Sequence, residues 1–133
     1  MRAYGSTSQV RVQLPLVASN DSLPEPDFAV VRGRPGEFDE RHPRGDDAVL
    51  VVEVTWTSEA MDRRKAGIYA RAGIPVYWRI DLPGRFVEVH EQPQKGTYAL
   101  VRIVDGAGQL NLPALSRRRL AVRELFPARS RTR

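Results

Sequence analysis

The chain has 133 residues, one short domain's worth, with 41% hydrophobic and 28% charged residues and a net charge of +5. No window approaches the roughly 18 consecutive apolar residues that a membrane span needs, and the N-terminus lacks the charged-then-apolar layout of a signal peptide, so a soluble, cytoplasmic protein with no membrane partner is expected. The absence of Cys excludes disulfides, thiolate zinc sites, iron–sulfur clusters and a cysteine nucleophile, leaving oxygen and nitrogen chemistry.

The positive balance invites a nucleic-acid reading, but it is unevenly placed. Residues 116–133 carry +6, from seven arginines against Glu124, and residues 1–115 carry −1. A second bias is sharper. Of the 21 basic residues, 19 are Arg and only Lys65 and Lys95 are Lys; a lysine that survives such replacement is a candidate for a role Arg cannot fill.

In chain order, a polar segment over residues 1–9 precedes Val10, Val12 and Leu14, which alternate with Arg11 and Gln13 as in a half-buried strand limited by Pro15. Phe28-Ala29-Val30-Val31 reads as the next strand, opened by Asp27. Residues 32–47, rich in Gly, Pro and charge without periodicity, read as a long surface loop. Ala48 to Val54 is an almost unbroken β-branched run, the pattern of a central strand covered on both faces, with Glu53 as its anomaly.

Thr57 or Ser58 then caps a helix expected over about 59–72, with Gly73 just past its end and Pro75 preventing continuation. Met61, Ile68 and Ala72 recur at helical spacing as its inward stripe, which places Lys65 on the inward face. Val76–Ile80 and Phe86–His90 read as a hairpin around an Asp81–Gly84 turn, with Asp81 a turn residue. After a turn at 93–96, Tyr98 to Val104 is a further strand, and Asp105–Gly108 turns the chain before Leu110 and Leu112. Leu120 to Phe126 is a short strand or helical turn, and the basic tail from 127 is expected to be disordered. The order points to one α/β domain over residues 1–126 around a mixed sheet.

Three residues break their local pattern: Asp27 at a strand start, Glu53 in an apolar strand and Lys65 on the helix's inward face. A carboxylate in an apolar sheet must find a cation or neutralise. Lys65 would serve, as a structural ion pair, and so would a metal ion. Two carboxylates on neighbouring strands suit Mg²⁺, which prefers hard oxygen ligands. Thr55 points to the same sheet face as Glu53, and Val54 offers a backbone carbonyl. His42 and His90 lack partners at a metal-ligand spacing, and neither a Gly-rich phosphate loop nor a Gly-x-Ser-x-Gly elbow is present. Tyr69, Tyr77 and Trp78 are expected in the core.

Pro26-Asp27, Glu53-Val54 after 25 intervening residues, Asp62-Arg63-Arg64-Lys65, Tyr69, Gly73 and Tyr77-Trp78 together resemble the Uma-type "putative restriction endonuclease" family of the PD-(D/E)xK nuclease superfamily, over roughly residues 10–126. The resemblance implies a restriction-endonuclease-like mixed sheet. It implies an endonuclease hydrolysing DNA phosphodiester bonds with Mg²⁺ or Mn²⁺, held by Asp27, Glu53 and the Val54 carbonyl. Lys65, supplied from the helix, would be the catalytic lysine in place of the usual lysine two positions after the acid, where this chain has Thr55. Thr55 and Asp62 would stand behind the ligands, and Arg63, Arg64, Arg71, Arg117, Arg118 and Arg119 would contact the nucleic-acid backbone.

By the resemblance, family members usually begin with a helical segment ahead of the first strand, and this chain, which starts almost at that strand, is expected to be N-terminally short. The expectations are a truncated start, a partner subunit covering the exposed face in a homo-oligomer such as a dimer, or a degenerate relative. The last gives the alternative function: a catalytically inactive nucleic-acid-binding or oligomer-forming domain of the same fold.

Overall fold

A computed structural model describes residues 8–12, 16–18, 23–33, 37–38, 41–56, 63–113 and 118–127, without the side chains of 8–12 and Arg63. The elements are β1 (Ser8–Val12), β2 (Phe28–Arg32), β3 (Ala48–Thr55), α1 (Arg63–Arg71), β4 (Val76–Asp81), β5 (Phe86–Gln94), β6 (Thr97–Asp105), β7 (Gln109–Asn111) and β8 (Arg119–Ala121). Short 3-10 turns lie at Gly45–Asp47 and Val122–Leu125.

β1 to β6 form one sheet in sequence order, and β7 and β8 pair separately. Every neighbouring pair in the large sheet is antiparallel except β3 and β4, which are parallel and joined through α1. A parallel pair needs such a crossover, because a tight turn cannot return the chain to the same end of the sheet. The architecture is thus the expected mixed sheet with one core helix.

Strand side chains alternate between faces, and this chain buries both. On one face Tyr77, Val51, Ala29 and Val31 pack with Tyr69 and Ala70 of α1. On the other, Val52, Trp78, Ile80, Val87 and Val89 pack with Leu110, Leu112, Val122 and Phe126. β3 lies third in the sheet and is buried from Ala48 to Glu53, as a run covered on both sides must be. Tyr69, Tyr77 and Trp78 are core residues.

Helix α1 ends where expected. Gly73 has φ +76, its N–H donates to Ala70 and the N–H of buried Ile74 donates to Tyr69, closing the helix with a left-handed residue that only Gly adopts freely. The inward face differs from the Met61–Ile68–Ala72 stripe. Tyr69 and Ala70 are the buried positions, while Ile68 and Ala72 are partly buried at the margin. The apolar count at those spacings misled because Tyr69 carries the largest inward contact. Thr57, Ser58, Met61, the start of the helix at 59, Asp62, Arg117 and the 128–133 tail lie outside the described residues.

The 32–47 segment is more than a surface loop. Phe38 is buried under the Arg41 guanidinium, 4.7 Å from its ring centre, and Arg41 also bonds Glu37 and Asp47. Gly45 abuts the end of α1 so closely that a Cβ there would sit 2.4 Å from the Ala72 carbonyl oxygen. Both readings of 120–126 are realised, as β8 followed by a 3-10 turn.

Candidate metal-dependent nuclease site

The parallel register sets Glu53 opposite Arg79 and Thr55 opposite Asp81, so these four side chains share the face that carries α1. Farther along the sheet, the end of that face nearest Val51 and Tyr77 is covered by Tyr69 and Ala70. Glu53 lies where the apolar cover gives way to polar side chains.

Glu53 is buried, its side chain 5% exposed, and each carboxylate oxygen has a partner. The Tyr69 hydroxyl donates to Oε2 at 2.6 Å, and Lys65 Nζ lies 3.5 Å from Oε1. Lys65 and Tyr69 are four residues apart, one turn along α1, so a single helix face delivers both groups. Burial pushes the Glu53 carboxyl above its ordinary range. The Tyr69 hydrogen bond and Lys65 pull it down, Asp27 pushes it up, and the net shift is upward. The Tyr69 hydroxyl is likewise pushed up, by burial first and then by the Glu53 charge, so it is a donor and never an anion here.

Lys65 is not on a buried face: its side chain is 48% exposed. Its ammonium reaches Glu53 while about half of the side chain stays in water, as a long cation at a domain margin does. Asp27 is half-buried just before β2, and its Oδ2 accepts the Val54 N–H at 2.7 Å. In a strand the N–H and C=O of one residue point the same way, so the Val54 carbonyl faces the same edge as Asp27.

Thr55 is tied to β4. Its hydroxyl donates to the Ile80 carbonyl at 3.1 Å and accepts from Arg79 at 2.9 Å. Arg79 also binds Asp81 at 3.1 Å and grips both oxygens of Glu88, at 2.9 and 3.0 Å. Glu88 in turn faces His90 at 3.1 Å. Asp81 does serve its turn, accepting the Gly84 N–H, but it is fully buried and paired, a larger role than a turn residue has. This network was not singled out in the sequence. Its signal was present: Arg79 interrupts an apolar strand just as Glu53 does.

The arginines divide. Arg64 is exposed near the start of α1, close to Lys65. Arg71 is exposed at the far end of α1, about 9 Å along the axis, against the turn at Gly96. Arg118 and Arg119 are exposed beside β7, whose Leu110 packs on the opposite face of the sheet from Glu53. They do not line the face that holds the carboxylates. Among the described residues, no group of three or more His, Asp and Glu gathers as a metal-ligand cluster. No described helix is long and apolar enough to cross a membrane.

A family model described as "Putative restriction endonuclease", Uma2, matches residues 1–123. The chain belongs to the Uma2 family. A search of curated proteins finds no match. Among solved structures, the Uma2 chain is similar to one described as a putative nuclease belonging to DUF820 from Anabaena variabilis ATCC 29413. The TM-score is 0.68 at 15% identity, covering 90% of this chain and 68% of that one. The likeness establishes the restriction-endonuclease-like fold.

Proposed function

We propose that this Uma2 chain is a divalent-metal-dependent endonuclease that hydrolyses DNA phosphodiester bonds, with Asp27 and Glu53 as the metal-holding pair and Lys65 as the catalytic lysine. The supporting observation is the asymmetry of the Glu53–Lys65 pair, a buried carboxylate facing a half-exposed ammonium at 3.5 Å. An ion pair whose cation stays half in water contributes little to stability, so stability alone does not account for a carboxylate buried in β3. Here the lysine keeps its reach into solvent, where a substrate phosphate would lie.

The donor set fits a hard cation. Asp27 and Glu53 bring two carboxylates against one ammonium, and the upward push on Glu53 is what a divalent ion would relieve. Mg²⁺ or Mn²⁺, with waters completing the shell, would supply Lewis acidity at the phosphate and a more acidic water. The chain's own groups do the rest. The Val54 N–H fixes Asp27 and leaves Oδ1 for a ligand, while the Val54 carbonyl adds a neutral donor on the same side. Tyr69 orients Glu53. As an ammonium, Lys65 steadies charge developing on the phosphate; as a neutral amine, it takes a proton from the attacking water, and this second role is closed to Arg. Thr55 and Asp62 support the ligands from behind. Arg63, Arg64 and exposed Trp56, directly after Thr55, contact the nucleic acid.

Incubating supercoiled plasmid with the protein and Mg²⁺ or Mn²⁺, beside Glu53→Ala, tests the reading. Metal-dependent nicking by wild type alone is expected. Equal cleavage by both, or none by wild type with either metal, contradicts it.

A further inference from the structure

Strand β6 ends the large sheet and pairs with β5 from Asp105 to Thr97, the ladder broken only at Ala99, opposite Gln92 with φ +59. Its outer edge presents alternate N–H and C=O groups to solvent, the condition proteins usually blunt with Pro, Lys, a bulge or a short strand. Thr97–Asp105 contains no Pro or Lys, and its one mid-strand charge, Arg102, is drawn toward β5 by Glu91 at 3.7 Å. Instead, three of the six exposed large apolar side chains in the described structure stand on it: Leu100 at 41%, Val101 at 50% and Ile103 at 63% exposure. They lie on both faces of the strand, since Val101 and Ile103 oppose His90 and Glu88 while Leu100 opposes Glu91. Apolar groups on both faces of an open edge suit another strand.

We propose that β6 is a homodimer interface, pairing antiparallel with β6 of a second copy about a two-fold axis through Val101. The occupant is argued from the strand's own symmetry. Val101 is the midpoint of Thr97–Asp105, so this register pairs all nine residues. Ile103 then faces Ala99 of the second copy, large against small. Arg102 faces Leu100, laying its aliphatic stem over an apolar side chain, and no charge opposes its like. A shift by two residues to centre on Arg102's neighbour Ile103 leaves four residues of the strand unpaired, and centring on Arg102 opposes two guanidinium groups, which is destabilising. A two-fold axis normal to the sheet keeps α1 and Glu53 of both copies on the same side. The pairing stands independently of the nuclease reading.

The absence of Cys makes the test direct. In the facing pair Val101 meets itself, with Cα atoms about 4.5–5.5 Å apart, within the range of a disulfide. Full-length wild type should sediment at twice the 15.0 kDa chain mass in the micromolar range. Val101→Cys should oxidise to a covalent dimer, while Thr97→Cys, facing Asp105, should not. Val101→Arg, at a half-exposed position, should keep the wild-type far-UV circular dichroism, which shows the fold intact, and weaken dimerisation roughly tenfold or more. A monomeric wild type, cross-linking of Thr97→Cys as readily as Val101→Cys, or an undiminished Val101→Arg dimer would each overturn the proposal.

Discussion

The Tyr69 hydroxyl donates a 2.6 Å hydrogen bond to Glu53, joining helix α1 to the one carboxylate buried inside β3. Both groups are buried, so the bond replaces solvation that neither can obtain from water. Tyr69→Phe leaves Oε2 without its donor, and a buried acceptor left unpaired costs about 1–3 kcal/mol. Urea unfolding should show a loss of that size. In Glu53→Gln the same tyrosine change should cost less, because the acceptor is then uncharged. An unchanged midpoint for Tyr69→Phe would mean the bond contributes nothing.

Arg79 and Glu88 set an acid limit on stability. The bidentate Arg79 contact holds the Glu88 carboxyl below its ordinary value of 4.5. A carboxyl lowered on folding stabilises the fold fully above its unfolded range, and that contribution is lost as pH falls through the folded value. Stability should therefore decline on acidification through the range below pH 4.5, and Glu88→Gln should flatten this slope while leaving the neutral-pH end lower. Equal slopes for the two proteins would contradict the assignment.

Lys65 separates stability from chemistry. Its exposure limits the ion pair with Glu53 to about 1 kcal/mol or less, so Lys65→Met should melt close to wild type. Its cleavage rate should nevertheless fall about a hundredfold or more, in the range for loss of a proton-transfer group. Lys65→Arg should not restore it. Rescue by Arg would make the residue a mere counter-charge.

Trp56 and Trp78 form a natural pair of probes, one 78% exposed and one buried. If Trp56 stacks on a base, single-stranded oligonucleotide added with Ca²⁺ should quench the red-shifted part of the tryptophan emission. Trp56→Ala should weaken binding about tenfold, within the range for one stacked base. Equal affinity for the two proteins would remove Trp56 from the interface.

Much of this was legible in the sequence for reasons of composition and turn chemistry. The almost unbroken β-branched run 48–54 reads as a strand covered on both faces, and Gly73 with Pro75 reads as a helix stop. Asp27 and Glu53 stood out because each violates its local pattern; Lys65 was assigned to a buried helix face, and the structure instead leaves it half-exposed, 3.5 Å from Glu53. What escaped depended on tertiary register. Tyr69 looked like packing because its ring does pack, while the hydroxyl's target lies on another element. The Arg79–Glu88 pair exists only because a hairpin aligns residues nine apart. The arginines were dispersed by the sheet's two-sidedness, which charge counting along the chain does not register.

The central claim is that Asp27 and Glu53 hold one divalent ion. A titration of the full chain with Mn²⁺, followed by the spectrum of the free ion, tests it most directly, with melting temperature as a parallel readout. Wild type should bind one Mn²⁺, and a concentration 100-fold above Kd should add about 2.7 kcal/mol of stability. Asp27→Asn and Glu53→Gln should remain folded and lose both effects. Binding of Mn²⁺ with wild-type affinity by either variant, or no binding by wild type, would contradict the account.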